Sequence, residues 1–195
     1  MKKLKEIILK PFTVLEEKSN LKKVGILLGF IVGVLFLCNF VAYIYTTLQA
    51  TKVFTDKINY DVLGEINYLK YILTFILKQV AFFGSFLIGI YVLCNMQKKE
   101  FKLERVCQII VVAFVANYLL QAAASLLFMF DFMNIKFLVA IKNAILSAVD
   151  CFSLLILIFA FAKEYNIKQD EKGLYNFTIV FFITYLVRYL LYLVF

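Results

Sequence analysis

Five unbroken apolar runs constrain this chain more than any other feature. They cover about Val24–Leu48, Tyr71–Met96, Val106–Phe130, Phe137–Ala162 and Leu174–Phe195. Crossing a bilayer core of ~30 Å takes about 20 apolar residues in a helix, and each run is long enough. The second is the least clean: its apolar part begins either at Tyr71 or nearer Gln79. Strands of a membrane barrel alternate over about ten residues, and these runs do not alternate. Of the 195 residues, 64% are hydrophobic and 17% charged, against roughly 45–50% and 25% in soluble domains. The expected fold is all-α, a polytopic membrane helix bundle with five transmembrane helices. Residues 24–195 form one transmembrane domain, preceded by a basic amphipathic tail at 1–23.

Basic residues set the expected orientation. The tail carries Lys2, Lys3, Lys5, Lys10, Lys18, Lys22 and Lys23. The loop QKKEFKLER carries Lys98, Lys99, Lys102 and Arg105, and the loop before the last run carries Lys163, Lys168 and Lys172. These fourteen fall on one side; Lys52, Lys57, Lys70 and Lys136 fall on the other. Lysine-rich loops stay cytoplasmic. The N-terminus is therefore expected in the cytoplasm and the C-terminus outside, in a cell membrane. No small-residue cleavage site follows the first run, which reads as a membrane helix and not as a signal peptide. The net charge of +8 is mostly this topology signal, so the lipid bilayer is the expected partner and nucleic acid is not.

Catalysis is not expected. The chain has no histidine, the commonest general base. Cys38, Cys94, Cys107 and Cys151 are scattered along the runs without C-x-x-C spacing, so neither a metal nor a cofactor is expected. No loop is long enough for a soluble catalytic domain. In the tail, Leu4, Ile7, Ile8 and Phe12 recur at helical spacing among lysines. That pattern suits an anionic membrane surface, or it is simply the basic flank of the first helix. The segment ATKVFTDKINYDVLGEINYL is expected to lie on the opposite membrane surface.

Helices in lipid associate by close backbone approach and polar links, so small residues four apart mark packing faces. Gly25, Gly29 and Gly33 form such a stripe, a glycine zipper, in the first run. Ala81, Ser85 and Gly89 form one in the second; Ala140, Ala144 and Ala148 form one in the fourth. The third carries a more polar ridge, Ala113, Asn117, Gln121 and Ser125. The glycine stripe is either a homodimer face or the seam between the first two helices. The matching stripe on the second helix favours the seam, and predicts that Gly29→Leu destabilises the monomer.

Charges inside a membrane need a reason. At ~1.5 Å per residue, Lys78, Lys142 and Arg188 lie within about 10 Å of the outer boundary, close enough to snorkel. Asp150 lies ~20 Å in by the same count, too deep for a carboxylate to escape. Asn143, Ser147 and Asp150 share a helical face, and Asn117 and Gln121 lie at similar depth on the third helix. Together they predict a polar seam between the third and fourth helices, with Lys142 or Arg188 above it as counter-charge. The seam is either structural glue or a pocket for a small anionic or zwitterionic ligand, as a transporter subunit would have.

Two stretches carry a family resemblance. ILKPFTVLEEKSN is a lysine-rich entrance to the first helix with a single proline; LCNMQKKEFKLERVCQIIVVAFVANYLL is a basic turn feeding the third. With the five runs and short C-terminus, they resemble the Yip1 family of five-span membrane proteins, particularly its bacterial branch. The glycine pair common in that turn is missing. The nearest string to the D-L-x-G-P motif of eukaryotic members, DVLGE at 61–65, falls on the outer side. The resemblance implies a membrane-organising, partner- or lipid-binding protein with no catalytic residues to carry over. An immunity or accessory protein that binds another membrane protein is a further expectation.

Overall fold

The computed structural model describes residues 7–16, 20–55, 61–128 and 136–166, and toward the C-terminus 178–180, 182–184, 186, 187 and 190. The helices are α1 (Pro11–Glu16), α2 (Leu21–Thr55), α3 (Val62–Glu65), α4 (Tyr68–Met96), α5 (Leu103–Phe128) and α6 (Lys136–Glu164). The described residues near the C-terminus are also helical, and no strand occurs among the described residues. Four helices, α2, α4, α5 and α6, are long and apolar enough to cross a membrane. In lipid only a helix satisfies every backbone group within its own segment, which is why unbroken apolar runs become helices here. The chain is an all-α membrane helix bundle.

The helix ends follow local chemistry. Asn67 caps α4, its side chain accepting from Lys70 N at 2.8 Å. Asn20 does the same ahead of α2, accepting from Lys23 N at 3.2 Å. At the end of α4, Lys98 adopts φ 52°. Lys99 N then reaches Cys94 O at 2.8 Å and Lys98 N reaches Asn95 O at 3.2 Å. These are the paired bonds of a Schellman stop. Just past α6, Asn166 adopts φ 44°, a conformation asparagine tolerates well. The first apolar run, expected to stop at Leu48, stays helical through Thr55. At ~1.5 Å per residue α2 outreaches a ~30 Å bilayer core.

Successive long helices run antiparallel. At the end that carries the N-terminal segment, the tail end, Glu104 Oε1 accepts from Leu21 N at 3.1 Å and Tyr165 Oη accepts from Lys102 N at 3.4 Å. Arg105 Nε donates to Glu164 Oε2 at 2.8 Å and Arg105 Nη1 to Gln108 Oε1 at 2.8 Å. Burial pushes the Tyr165 hydroxyl up to about 12 against the opposing Lys102 backbone bond.

α5 is the centre. It packs on α1, α2, α4 and α6, and residues Ile109 to Val115 are all buried. No side of α5 is left open to lipid along this stretch. α2 meets it through Ile31 and Leu35, 0% and 3% exposed. At ~100° per residue the glycine stripe falls on the opposite side of α2. Gly25 and Gly29 are exposed and Gly33 half-buried. A Cβ at any of the three would meet nothing within 4 Å among the described residues. The glycine seam between the first two helices is thus not formed. Those helices touch at the far end through rings instead: Phe36 on Phe75 at 5.1 Å, Phe40 on Tyr71 at 5.6 Å and Tyr43 on Tyr71 at 4.9 Å between centroids. Bulky rings hold α4 away from α2, where glycines would have drawn it close.

The stripe on α4 has other uses. Ala81 is half-buried; Ser85 is buried, its hydroxyl donating to Phe82 O at 2.9 Å. A Cβ on Gly89 would collide with Thr184 Oγ1, so Gly89 admits the C-terminal helical residues and not α2. The tail also differs from expectation. Ile7, Pro11 and Leu15, spaced four apart, are buried, and α1 packs on α5 and α6. Its apolar face covers protein, while Leu9 is exposed.

Candidate functional site

A polar line crosses the bundle at the level of Asn117. Asn117 is only 2% exposed. Its Nδ2 donates to Asp150 Oδ1 on α6, and its Oδ1 accepts from Gln121 Nε2 at 2.6 Å. The Ser125 hydroxyl donates to Gln121 O at 2.8 Å and pairs with the Asn39 amide on α2. On the other flank Tyr118 Oη donates to Gln79 Oε1 on α4 at 2.6 Å. The i, i+4 ridge of α5 thus links α6 and α2, and Tyr118 beside it links α4, each bond removing a polar group from an apolar surrounding.

The ridge forms one wall of a cavity of about 560 Å³. α2 contributes Asn39, Tyr43 and Thr46; α4 contributes Tyr71, Thr74, Lys78 and Gln79; α6 contributes Lys142. The volume exists because rings, and not close backbones, space α4 from α2 and α5. On the α5 side those spacers are Phe82 and Phe86 against Phe114, with centroids 4.8 and 5.2 Å apart. The far half of α6 is largely exposed, whereas its tail half is buried at Ser153, Leu157, Ala160 and Phe161.

Asn117, Gln121 and Asp150 come together as the sequence predicts, and Lys142 lines the adjoining cavity. Asn143 and Ser147 do not join them. Both are exposed, because the inward side of α6 follows half-buried Leu146 and buried Ser153 and Leu157, and only Asp150 turns far enough in. Arg188 lies outside the described residues. Sequence reasoning missed Asn39, Gln79 and Tyr118 as site residues. The signal was available: Asn39 is the single amide of the first run, and Gln79 lies in the interior of the second, whose other amide, Asn95, sits at the run's end.

Among the described lining residues the charged groups are Lys78 and Lys142, with no carboxylate. Asp150 stands behind Asn117 and is half-buried. Ser153, one turn further, is 0% exposed, and its hydroxyl has no hydrogen-bond partner among the described residues. The cavity offers ammonium, amide and hydroxyl donors beside aromatic faces. Such a surface binds and orients; the described lining has no paired nucleophile and base.

What fold and site define is an all-helical membrane protein with a lysine-bearing cavity between its helices, lined by polar and aromatic side chains. The chain matches no family model, no curated protein and no solved structure.

Proposed function

We propose that this chain is a non-catalytic, Yip1-like component of the cell membrane that binds a small polar ligand or lipid headgroup in the cavity. In this reading it has five spans, with the N-terminus cytoplasmic and the C-terminus outside. The fifth span is supported by the helical residues between 178 and 190, with Val180 and Thr184 buried. The basic-residue asymmetry supports the orientation, and with it a cavity toward the outer surface. The observation that carries the binding reading is the juxtaposition of the Asn39–Ser125–Gln121–Asn117 line with about 560 Å³ of space. Ligand sites typically occupy about 300–1,000 Å³ with a few convergent polar groups.

Native mass spectrometry of gently solubilised protein tests this. The expected spectrum shows one small molecule or lipid retained per chain, and Gln121→Leu loses it with unchanged membrane yield. Asp150→Asn keeps the fold and weakens retention. A ligand-free spectrum for the wild type, or full retention by Gln121→Leu, removes the reading.

A second reading, binding of another membrane protein, is favoured by the open glycine face of α2. With Ile26 and Phe30 exposed beside it, that face suits close approach of a partner helix. Photocrosslinking from position 29 in membranes should capture one discrete partner; labelling of lipid alone contradicts it.

A further inference from the structure

We infer that the cavity takes a neutral polyhydroxylated ring, a free sugar or the sugar headgroup of a glycolipid. This rests on reading the cavity as a ligand site and adds the ligand's chemistry. Lys78 and Lys142 line the cavity, and each already has an interaction partner, so their charge calls for no bound anion. The other described lining residues are uncharged. What they leave unpaired is mixed in kind. Tyr118 occupies Gln79 Oε1 and leaves the amide NH2, a donor. Gln121 spends an Nε2 hydrogen on Asn117 and leaves Oε1, an acceptor. Ser125 occupies one end of the Asn39 amide and leaves the other. The Tyr43, Tyr71 and Thr74 hydroxyls make no hydrogen bond among the described residues, and a hydroxyl both donates and accepts.

This set of groups disfavours a one-sided ligand. A planar dicarbonyl such as a quinone offers acceptors alone. It would cover Gln121 Oε1 without giving it a donor, at the cost of an unmade bond. A ring hydroxyl takes either role, so neighbouring hydroxyls on one ring satisfy amide donors and amide acceptors together. The protein groups reach the cavity from three helices: Asn39 and Tyr43 from α2, Tyr71, Thr74 and Gln79 from α4, and Gln121 from α5. Sugar hydroxyls radiate around the rim of their ring and can meet groups on several sides. The faces of that ring are C–H surface and are best covered by an apolar neighbour. Tyr43 and Tyr71 provide one. Their rings stack with centroids 4.9 Å and planes 17° apart, a flat surface with polar tips. About 560 Å³ leaves room beside a sugar ring for its linkage. A free sugar and a glycolipid headgroup share this chemistry.

Thermal unfolding of the full chain in a polyoxyethylene detergent, which carries no sugar, tests the inference. The probes are the methyl and hexyl β-glycosides of glucose and galactose, with menadione as a planar dicarbonyl. At least one glycoside should raise Tm in a saturable way, as a ligand of the folded chain does, and menadione should not. A stronger response to the hexyl glycoside assigns a lipid-linked sugar; an equal or weaker one assigns a free sugar. The double variant Tyr71→Phe/Thr74→Val keeps the ring of Tyr71, the bulk of Thr74 and the hydrogen bonds described above. It should bind the glycoside at least about tenfold more weakly, as expected for two lost hydrogen bonds. Undiminished glycoside binding by the double variant overturns the sugar assignment, and so does equal stabilisation by menadione. Silence from all four glycosides overturns it too. Each of these results leaves the cavity a ligand site if the wild type still retains a molecule that Gln121→Leu loses. A wild type that retains nothing removes the parent reading as well.

Discussion

Ser153 is the residue whose environment fits its chemistry least. A hydroxyl with no exposure and no partner among the described residues forfeits its hydration and gains nothing in return, and such groups typically cost about 1–3 kcal/mol. Ser153→Ala removes the orphan at almost constant volume. The variant should therefore match or exceed the wild type in stability, by up to about 1 kcal/mol, in detergent unfolding curves. A clear loss of stability would mean that the hydroxyl holds a buried water or ion beside Asp150. Tyr165 supplies a pH signature at the tail end. Its ordinary value is 10.0 and burial raises it to about 12. Between those values the folded chain holds the proton and the unfolded chain does not. Stability from this group is thus flat below pH 10 and falls as pH rises toward 12. Tyr165→Phe should flatten that part of the stability–pH profile; an unchanged slope would assign the alkaline loss to other groups, the lysines first.

At the scale of the helix, small residues act by what faces them. Among the described residues, Gly29 faces open space and Gly89 faces Thr184. Gly29→Leu should leave monomer stability unchanged within about 0.5 kcal/mol, the usual range for a surface site. Gly89→Ala should cost about 1–3 kcal/mol, typical of overpacking. Thr184→Ala should recover part of that loss, because the closest atom is the threonine hydroxyl. A double-mutant cycle on Tm reads this coupling; additive effects would mean that the C-terminal helix does not rest on Gly89. The same pair shows what was legible beforehand. Long apolar runs, the Asn117–Gln121–Asp150 seam and a close-packed small residue can all be read from spacing. Spacing does not say which neighbour a stripe meets. The glycine pattern put the packing side of α2 opposite to Ile31 and Leu35, and that error hid Asn39 and Gln79. Nor does hydropathy reveal the central helix. Most of the apolar stretch of α5 is buried, whereas most of that of α2, which is the more apolar of the two, is not. Lipid and protein interior are both apolar, so composition does not separate them.

Across the whole molecule, the tail end is closed by the chain's own N-terminal segment. Ile7, Pro11 and Leu15 are buried, and Gln108, 6% exposed, donates to Val14 O at 3.4 Å. The Arg105–Glu164 pair joins α5 to α6 beside it. The amphipathic pattern alone suits a lipid surface or a protein surface, and the two make opposite predictions in detergent. A lipid anchor has nothing to hold once anionic lipid is gone. A docked segment still covers its apolar contacts and supplies the acceptor for Gln108. Removing residues 1–19 should therefore lower stability by about 2–5 kcal/mol, the range for losing a large buried side chain, in uncharged detergent without added lipid. Leu15→Asp in the full chain should reproduce most of that loss and expose the segment to protease. Insertion and orientation should survive the truncation, because Lys22, Lys23 and the basic loops remain on the tail side. An unchanged Tm, with protection lost only when anionic lipid is withheld, would return the tail to the membrane surface.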